Sequence, residues 1–452
     1  MKPLVEVALP LGLEGTEELP FTRKALRNCW NASGKIIQRP GLSLIGTNAS
    51  VARGSFEWNG SLYAVVSQSL IKITNLLTGA YSTIGVISGN TDIVTANGFN
   101  TAVIVVKGGD LYTLDKSDSL VSISANSNIV PCNSVTHING RFVYVPSDGS
   151  VAFFSDVGAA GTVQSLSFFD AEQLPDNNTV TFQLNNLLYI AGTDSIQSYI
   201  DRGLSPVPFI PQTGRIDNGI IGGVVEIQGS VIFIGREKGQ DLGIYALQPG
   251  VAPKISNEYI DNILATYTEA QLAQVVAGRY KWRGYDIIYF ILANHSFGFY
   301  QGNWHGLDTM INGVNVPWQI GHVQEFGLKY YSFFNDKFSI LANVNTDSGN
   351  PFIRIIDGGM EEGGSFNAQS LQYHISQGYN ASVGSVFLRM SDDNVLYGPT
   401  VAANTGAIGN YGVELDWNYP GGLGLYDRFM GYRLQTGEDI NFSGTKLFIE
   451  TR

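Results

Sequence analysis

The sequence predicts an all-β chain built on a β-propeller of six or seven blades, and three observations carry that prediction. The first is a hairpin that recurs seven times between Phe56 and about Val344. The second is its spacing: the turns fall at 60, 98, 140, 186, 229, 284 and 327, in steps of 38, 42, 46, 43, 55 and 43 residues. A period of about 40–45 residues with four short strands per unit marks a propeller. The third is composition. Fifty-three Gly against 16 Pro, with only 15% charged residues, suit a turn-dense β protein, and long helical patterns are almost absent. A β-rich protein whose hairpins merely fall at similar spacing is the alternative.

Each copy has a tight turn, a short apolar strand and a second strand after a polar break. Trp58-Asn59-Gly60-Ser61-Leu62-Tyr63-Ala64-Val65-Val66 is the clearest. Gly98-Phe99-Asn100, Asn139-Gly140, Asn185-Asn186, Gln228-Gly229, Arg283-Gly284 and Phe326-Gly327 open the others. Asn-Gly favours the positive backbone angles of a two-residue hairpin turn, and β-branched and aromatic residues beside it favour strands.

Residues 1–50 precede the first repeat as an N-terminal arm. Arg23, Lys24, Arg27 and Lys35 form a basic cluster there, and Arg39-Pro40-Gly41-Leu42 punctuates an extended path rather than a helix. Two readings stand: an irregular strand closing the first blade, and an arm that contacts a partner. The propeller then spans residues 51–344. Its long step of 55 has a local cause, a short helix pair inserted at about 256–277. Ile260, Ile263, Leu264 and Tyr267 keep helical spacing from a start at Ser256, and Thr268 with Gln271 reads as a capping box opening a second helix.

From 345 to 452 the rhythm stops in a C-terminal β-rich domain. Residues 345–350 resemble the start of a calcium loop but offer one carboxylate, Asp347, with Pro351 interrupting and Ile356 where a closing Glu is needed. A polar turn is the better reading. Strands are expected at 371–375, 385–390, 412–417, 430–435 and 446–450, arranged either as a small β-sandwich or with a final strand closing the propeller ring.

Net charge is −12, so a sequence-independent grip on duplex DNA is not expected, because that grip needs Lys and Arg on phosphates. Hydrophobic residues at 44% supply a large core, yet no run approaches a membrane span, and no signal-peptide pattern opens the chain. Cys29 and Cys132 have no metal spacing and read as free thiols or buried small hydrophobes. The five histidines, 137, 295, 305, 322 and 374, show no metal-ligand spacing, and no Walker loop or Gly-x-Ser-x-Gly elbow occurs. Glu361-Glu362 and Asp392-Asp393 are adjacent pairs; in a strand such neighbours point to opposite faces, and glycines around the first pair suggest a solvated loop. No catalytic residue, metal or cofactor is expected. Trp304 and Trp318 would stack on a sugar if exposed and pack in a core if buried.

The order of parts resembles the tail hub, or packaged-DNA stabilisation, proteins of short-tailed bacteriophages of the Salmonella type. The likeness rests on Arg39-Pro40-Gly41-Leu42 before the first hairpin, on Ile260-Asp261-Asn262-Ile263-Leu264 with Tyr267-Thr268-Glu269-Ala270-Gln271-Leu272, and on the ending from Arg428-Phe429-Met430-Gly431-Tyr432-Arg433-Leu434 to Leu447-Phe448-Ile449-Glu450. The family's basic run near the end is thinner here. The resemblance implies a non-enzymatic virion component without cofactor, assembled in the bacterial cytoplasm. It implies a homo-hexameric ring below the portal and adaptor rings that holds the tail needle and the spikes or fibres. Packaged DNA would pass through its channel without sequence-specific binding. Six copies of −12 would carry about −72, which suits a conduit to which DNA does not stick. On this reading Arg23, Lys24, Arg27, Arg39, Ile260, Leu264, Arg428 and Arg433 are candidate interface residues. The alternative function is a carbohydrate-binding or carbohydrate-cleaving propeller of a tail fibre.

Overall fold

The computed structural model of the chain describes residues 4–6, 9–14, 24–48, 50–170, 177–212, 214–237, 239, 242–377, 384–392, 396–405, 411–418, 423–437 and 440–451. Six blades follow one another along the chain: blade 1 (residues 52–86), blade 2 (93–122), blade 3 (132–170), blade 4 (178–211), blade 5 (218–247) and blade 6 (276–306). A seventh, composite blade takes three strands from residues 322–342 and its outer strand, Gly41–Thr47, from the N-terminal segment. The innermost strands pack in sequence round a ring, and His322–Phe326 of blade 7 lies against Ala52–Trp58 of blade 1 to close it.

The turn chemistry explains the strand pairing. Asn59 and Gly60, Asn139 and Gly140, Asn185 and Asn186, Gln228 and Gly229, Arg283 and Gly284, and Gly327 and Leu328 all take positive φ, as a type I′ turn requires. The register agrees, with Trp58 facing Ser61 and Ile138 facing Arg141 across their turns. The second hairpin differs. Its Gly98 has no positive φ, and the longer loop closes by a Gly98 N–H to Thr101 carbonyl bond of 2.9 Å. Glycine is needed there by packing instead, since a Cβ would lie 2.7 Å from Phe142 Cζ.

A propeller has no single core. Seven apolar clusters each lie between two neighbouring blades. The second strand of a blade is therefore covered on both faces, and Ser61–Val66, Thr101–Val106, Arg141–Pro146 and Leu187–Gly192 are buried after their first residue. That geometry produces the continuous apolar runs that made the hairpins visible in sequence.

Two short helices, α1 (Glu258–Leu264) and α2 (Glu269–Leu272), occupy the long step between blades 5 and 6. α1 starts one residue later than expected: Asn257 is its cap, accepting from the Ile260 N–H, while the Ser256 hydroxyl turns to Asp261. The Thr268–Gln271 capping box is formed in both directions.

Beyond residue 345 a single sheet wraps one core containing Met430, Tyr432, Trp417 and Phe442. Its spine is the 24-residue strand Arg354–Gln377, which pairs with Gly424–Thr436, Tyr411–Asn418 and Ile440–Thr451. Glu361 and Glu362 are not in a loop. They lie within this strand, where the register slips between Glu361 and Ser365. Nor does a C-terminal strand close the propeller; closure comes from Gly41–Thr47. Residues 1–50 supply further links. Ala25–Arg27 sits between the spine strand and Asn303–Gly306 of blade 6, joining propeller and C-terminal sheet into one sheet of 14 strands. Cys29 and Cys132 are both free and buried, and burial pushes the Cys29 thiol up to about 12, so neither sits in the thiolate-favouring surroundings of a reactive thiol.

The closing strand leaves no room at its start. A Cβ on Gly41 would lie 2.4 Å from both the Val344 and Thr346 carbonyl oxygens. Gly41→Ala is expected to lower stability by about 2–3 kcal/mol in guanidinium unfolding. Gly437→Ala, where a Cβ would meet nothing within 4 Å, is expected to be neutral.

Candidate functional site

The densest polar constellation among the described residues lies where the N-terminal segment, blade 7 and the C-terminal sheet meet. Arg39 is fully buried, and its guanidinium grips the Asp347 carboxylate at 2.9 Å from Nη1 and 2.6 Å from Nη2. Its remaining N–H groups go to Asn28 Oδ1 at 2.8 Å, the Pro40 carbonyl at 2.8 Å and the Asp308 carbonyl at 2.7 Å. All five guanidinium donors thus have acceptors. The plane lies between Trp318, 4.5 Å from the ring centroid, and Phe352, 3.7 Å away. Asp347 in turn accepts from Thr309 Oγ1 at 2.6 Å and Trp318 Nε1 at 3.1 Å.

Asn28 extends the network because its left-handed backbone, φ 59°, aims its amide inward. It accepts from the Asp308 N–H at 2.9 Å and donates to the Ile353 carbonyl at 2.8 Å and to Asp308 Oδ1 at 2.5 Å. Arg27 completes Asp308 with a 3.0 Å ion pair. Every oxygen of the two carboxylates accepts from at least one donor. The arrangement acts mechanically, as a latch holding five chain segments. Asp347 is the lone carboxylate of the calcium-like turn, and it meets an arginine rather than a metal.

A cavity of ≈ 910 Å³ lies among the inner strands of the propeller and is lined also by Ala273 at the end of α2. Asp92, Lys107, His137 and His322 supply its titratable groups, with Glu226 further along. His322 Nε2 stands 3.9 Å from Asp92 Oδ1, a distance too long for a hydrogen bond. Among the described residues no three His, Cys, Asp or Glu side chains are grouped to hold a metal. Trp304 and Trp318 are buried, donating to the Ile255 carbonyl at 2.9 Å and to Asp347, and neither offers a face to a sugar.

Comparison with known proteins decides the family. The sequence profile described as "Bacteriophage P22 Gp10, beta-propeller" matches residues 17–325. The chain belongs to the P22 Gp10 family of phage stabilisation proteins. A search of curated proteins gives no match. Among solved structures, the designed protein Ika8 matches with a TM-score of 0.41 at 9% identity, over 67% of this chain and 99% of that one. BamB from Moraxella catarrhalis gives 0.41 at 10% identity, over 75% and 98%. PorZ of Porphyromonas gingivalis gives 0.39 at 11% identity, over 74% of this chain and 44% of its own. Among the described residues no helix is long and apolar enough to cross a membrane.

Within this Gp10-family fold the residues proposed from sequence as interface positions separate. Arg39, Ile260 and Leu264 turn inward: the first is held by Asp347, and the other two are completely buried between α1 and blades 5 and 6. They have no surface to offer a neighbour. Lys24 is half-buried, its backbone bridged to Glu14 at 2.9 and 3.2 Å. Arg27 keeps 41% of its side chain exposed beside Asp308. Arg433 binds Asp357 through two bonds of 2.6 and 2.7 Å and lies over Tyr397. Arg23 and the Arg428 side chain lie outside the described residues, although Arg428 belongs to the strand Gly424–Thr436.

Removing one side of a buried ion pair strands the other charge. Arg39→Met is expected to cost about 3–5 kcal/mol in denaturant unfolding, and adding Asp347→Leu is expected to recover part of that loss. His305 gives a second test. It lies buried beside Trp30, ring centroids 5.9 Å apart, and burial, then the nearby Arg39 charge, pushes its imidazole down to about 3. Below about pH 6.5 the unfolded chain takes up a proton that the folded chain refuses until about pH 3, so stability falls as pH drops through that window. His137 and His295 are shifted the same way, also by burial first. The unfolding free energy at pH 5 is expected to lie about 2 kcal/mol below its pH 7 value from His305 alone. In His305→Gln that dependence is expected to flatten.

Proposed function

We propose that this chain is the hub of a short phage tail, a structural protein with no catalytic role. Six copies form a ring below the portal and adaptor rings, close the channel around packaged DNA and hold the tail needle with the spikes or fibres. The observation that carries this reading is the Gp10-family match over residues 17–325. The structure supports it physically. A ring of blades latched to a second β unit by buried bonds is a stiff block, and an assembly that retains pressurised DNA needs stiffness more than a reactive site. The net charge of −12 supports passage of DNA without adhesion. On this reading the half-exposed Arg27 and Arg433, with Lys24, are the basic positions left for neighbouring tail proteins.

The test is stoichiometry. Quantitative mass spectrometry of purified particles is expected to find this chain at half the copy number of a twelve-fold portal. A trimeric spike-like ratio, or absence from particles, would overturn the hub.

A further inference from the structure

A small cavity of ≈ 120 Å³ opens beside Arg27, where α1, the outer part of blade 6 and the hairpin of Asp308–Ile311 with Val314–Pro317 come together. Pockets for whole small molecules usually measure about 300–1,000 Å³, so this one has room only for a short chemical group. Its polar lining comes from Arg27, Tyr259, His295 and Asp308, with the exposed Asn294 and Asn315 beside them. Ser296 also lines it, but its hydroxyl is spent on the Leu307 carbonyl.

Tyr267 decides which nitrogen of His295 carries the proton. The Tyr267 hydroxyl accepts from the Asn294 N–H at 3.1 Å, so it still has its own proton to give. It faces His295 Nδ1 at 2.7 Å, and among the described residues that proton has no other acceptor. Nδ1 is therefore the acceptor. Burial, then the Arg27 charge, holds the imidazole below its ordinary pKa, so it is neutral at pH 7 and its proton sits on Nε2. Arg27 spends one guanidinium N–H on Asp308 at 3.0 Å. Among the described residues neither its remaining N–H groups, nor His295 Nε2–H, nor the Tyr259 hydroxyl has an acceptor. The cavity thus gathers donors in excess.

The geometry points to this cavity as a binding pocket for a single carboxylate, held by the free edge of Arg27, His295 Nε2–H and the Tyr259 hydroxyl. The inference stands apart from the hub reading. A carboxylate is acceptor-only, and its bonds to a guanidinium are charge-assisted and suited to the planar fork. Asp308 is the one carboxylate on the lining, and its charge is already met. Its Oδ1 takes the Asn28 amide at 2.5 Å and its Oδ2 takes Arg27, while Arg39 Nη2 bonds its main-chain carbonyl at 2.7 Å. A phosphate carries more charge near neutral pH and meets stronger repulsion from Asp308 than a carboxylate does. The size of the cavity limits the source to the tip of a Glu or Asp side chain from a partner protein, or a free carboxylate of acetate size.

The test is an NMR titration of the full chain, isotope-labelled at histidine, with the His295 signals assigned by His295→Gln. Without ligand, the nitrogen shifts are expected to show Nε2 protonated and Nδ1 bare. The probes are sodium acetate and a capped Gly-Glu-Gly peptide, with capped Gly-Gln-Gly and inorganic phosphate as controls. A carboxylate probe is expected to shift the Nε2 signal saturably, with a Kd of about 1–10 mM. Arg27→Gln is expected to weaken that binding about tenfold. Tyr259→Phe, which breaks no bond of the latch, is expected to weaken it about threefold with an unchanged circular dichroism spectrum. Saturation by the Glu peptide, displaced by acetate, supports the pocket and assigns it to a partner's acidic side chain. Saturation by acetate alone supports it and assigns it to a free carboxylate. The proposal is overturned if neither carboxylate saturates, if phosphate or the Gln peptide binds as well, if His295 carries its proton on Nδ1, or if both variants bind like the parent. The copy number in particles tests the hub alone, so either reading can fail without the other.

Discussion

The ion pair between Arg39 and Asp347 is the constraint on which the rest of the chain depends. It joins two residues 308 positions apart and is sealed from water on both sides. Through Asn28, Asp308, Thr309 and Trp318 it gathers the N-terminal segment, the last blade and the entry to the C-terminal sheet at one point. A charge pair placed so deep recovers its desolvation cost only when every donor and lone pair is satisfied, and here the guanidinium leaves none of its five N–H groups over. Its value is therefore less in net stability than in specifying which segments meet.

Around that point the fold is repetitive, and repetition made much of it legible. The hairpin turns could be read because Asn and Gly tolerate positive φ, and six of the seven turns take it. The second strands could be read because they are buried on both faces. The helix pair announced itself through the Thr268–Gln271 box. The closing strand could not be read that way. Gly41–Thr47 alternates weakly, and its pairing with residues 337–342 is a contact across most of the propeller, which no local pattern encodes. The long strand Arg354–Gln377 was hidden by its own glycines, because Gly358 and Gly359 are needed where Tyr432 and Phe429 cross over them.

The candidate site was less legible than the fold for a related reason. Sequence shows the charge of Arg39 without its burial. It shows Asp347 as an isolated carboxylate in a metal-like turn, because its partner lies 308 positions away. Each was visible singly, and only the fold makes them a pair. Ile260 and Leu264 show the converse: helical spacing identified an apolar stripe, but its direction, toward blades 5 and 6, depended on packing.

Closure of a ring of similar blades carries an ambiguity that the latch removes. Blade 7 has three strands of its own and needs a fourth, but among the described residues blade 5 also has three. Main-chain edges are much alike, so either blade offers the N-terminal strand an edge to pair with. Two features decide against blade 5. Its outer strand is already bonded by residues 253–255, and nothing beside it supplies the acidic and aromatic pocket that Arg39 requires. At blade 7 the arginine meets Asp347, which Thr309 and Trp318 also hold. The buried pair thus acts as a register device, a use for which such pairs are best attested. It fixes one closure, and with it the relation between the ring and the sheet that Ala25–Arg27 ties to blade 6.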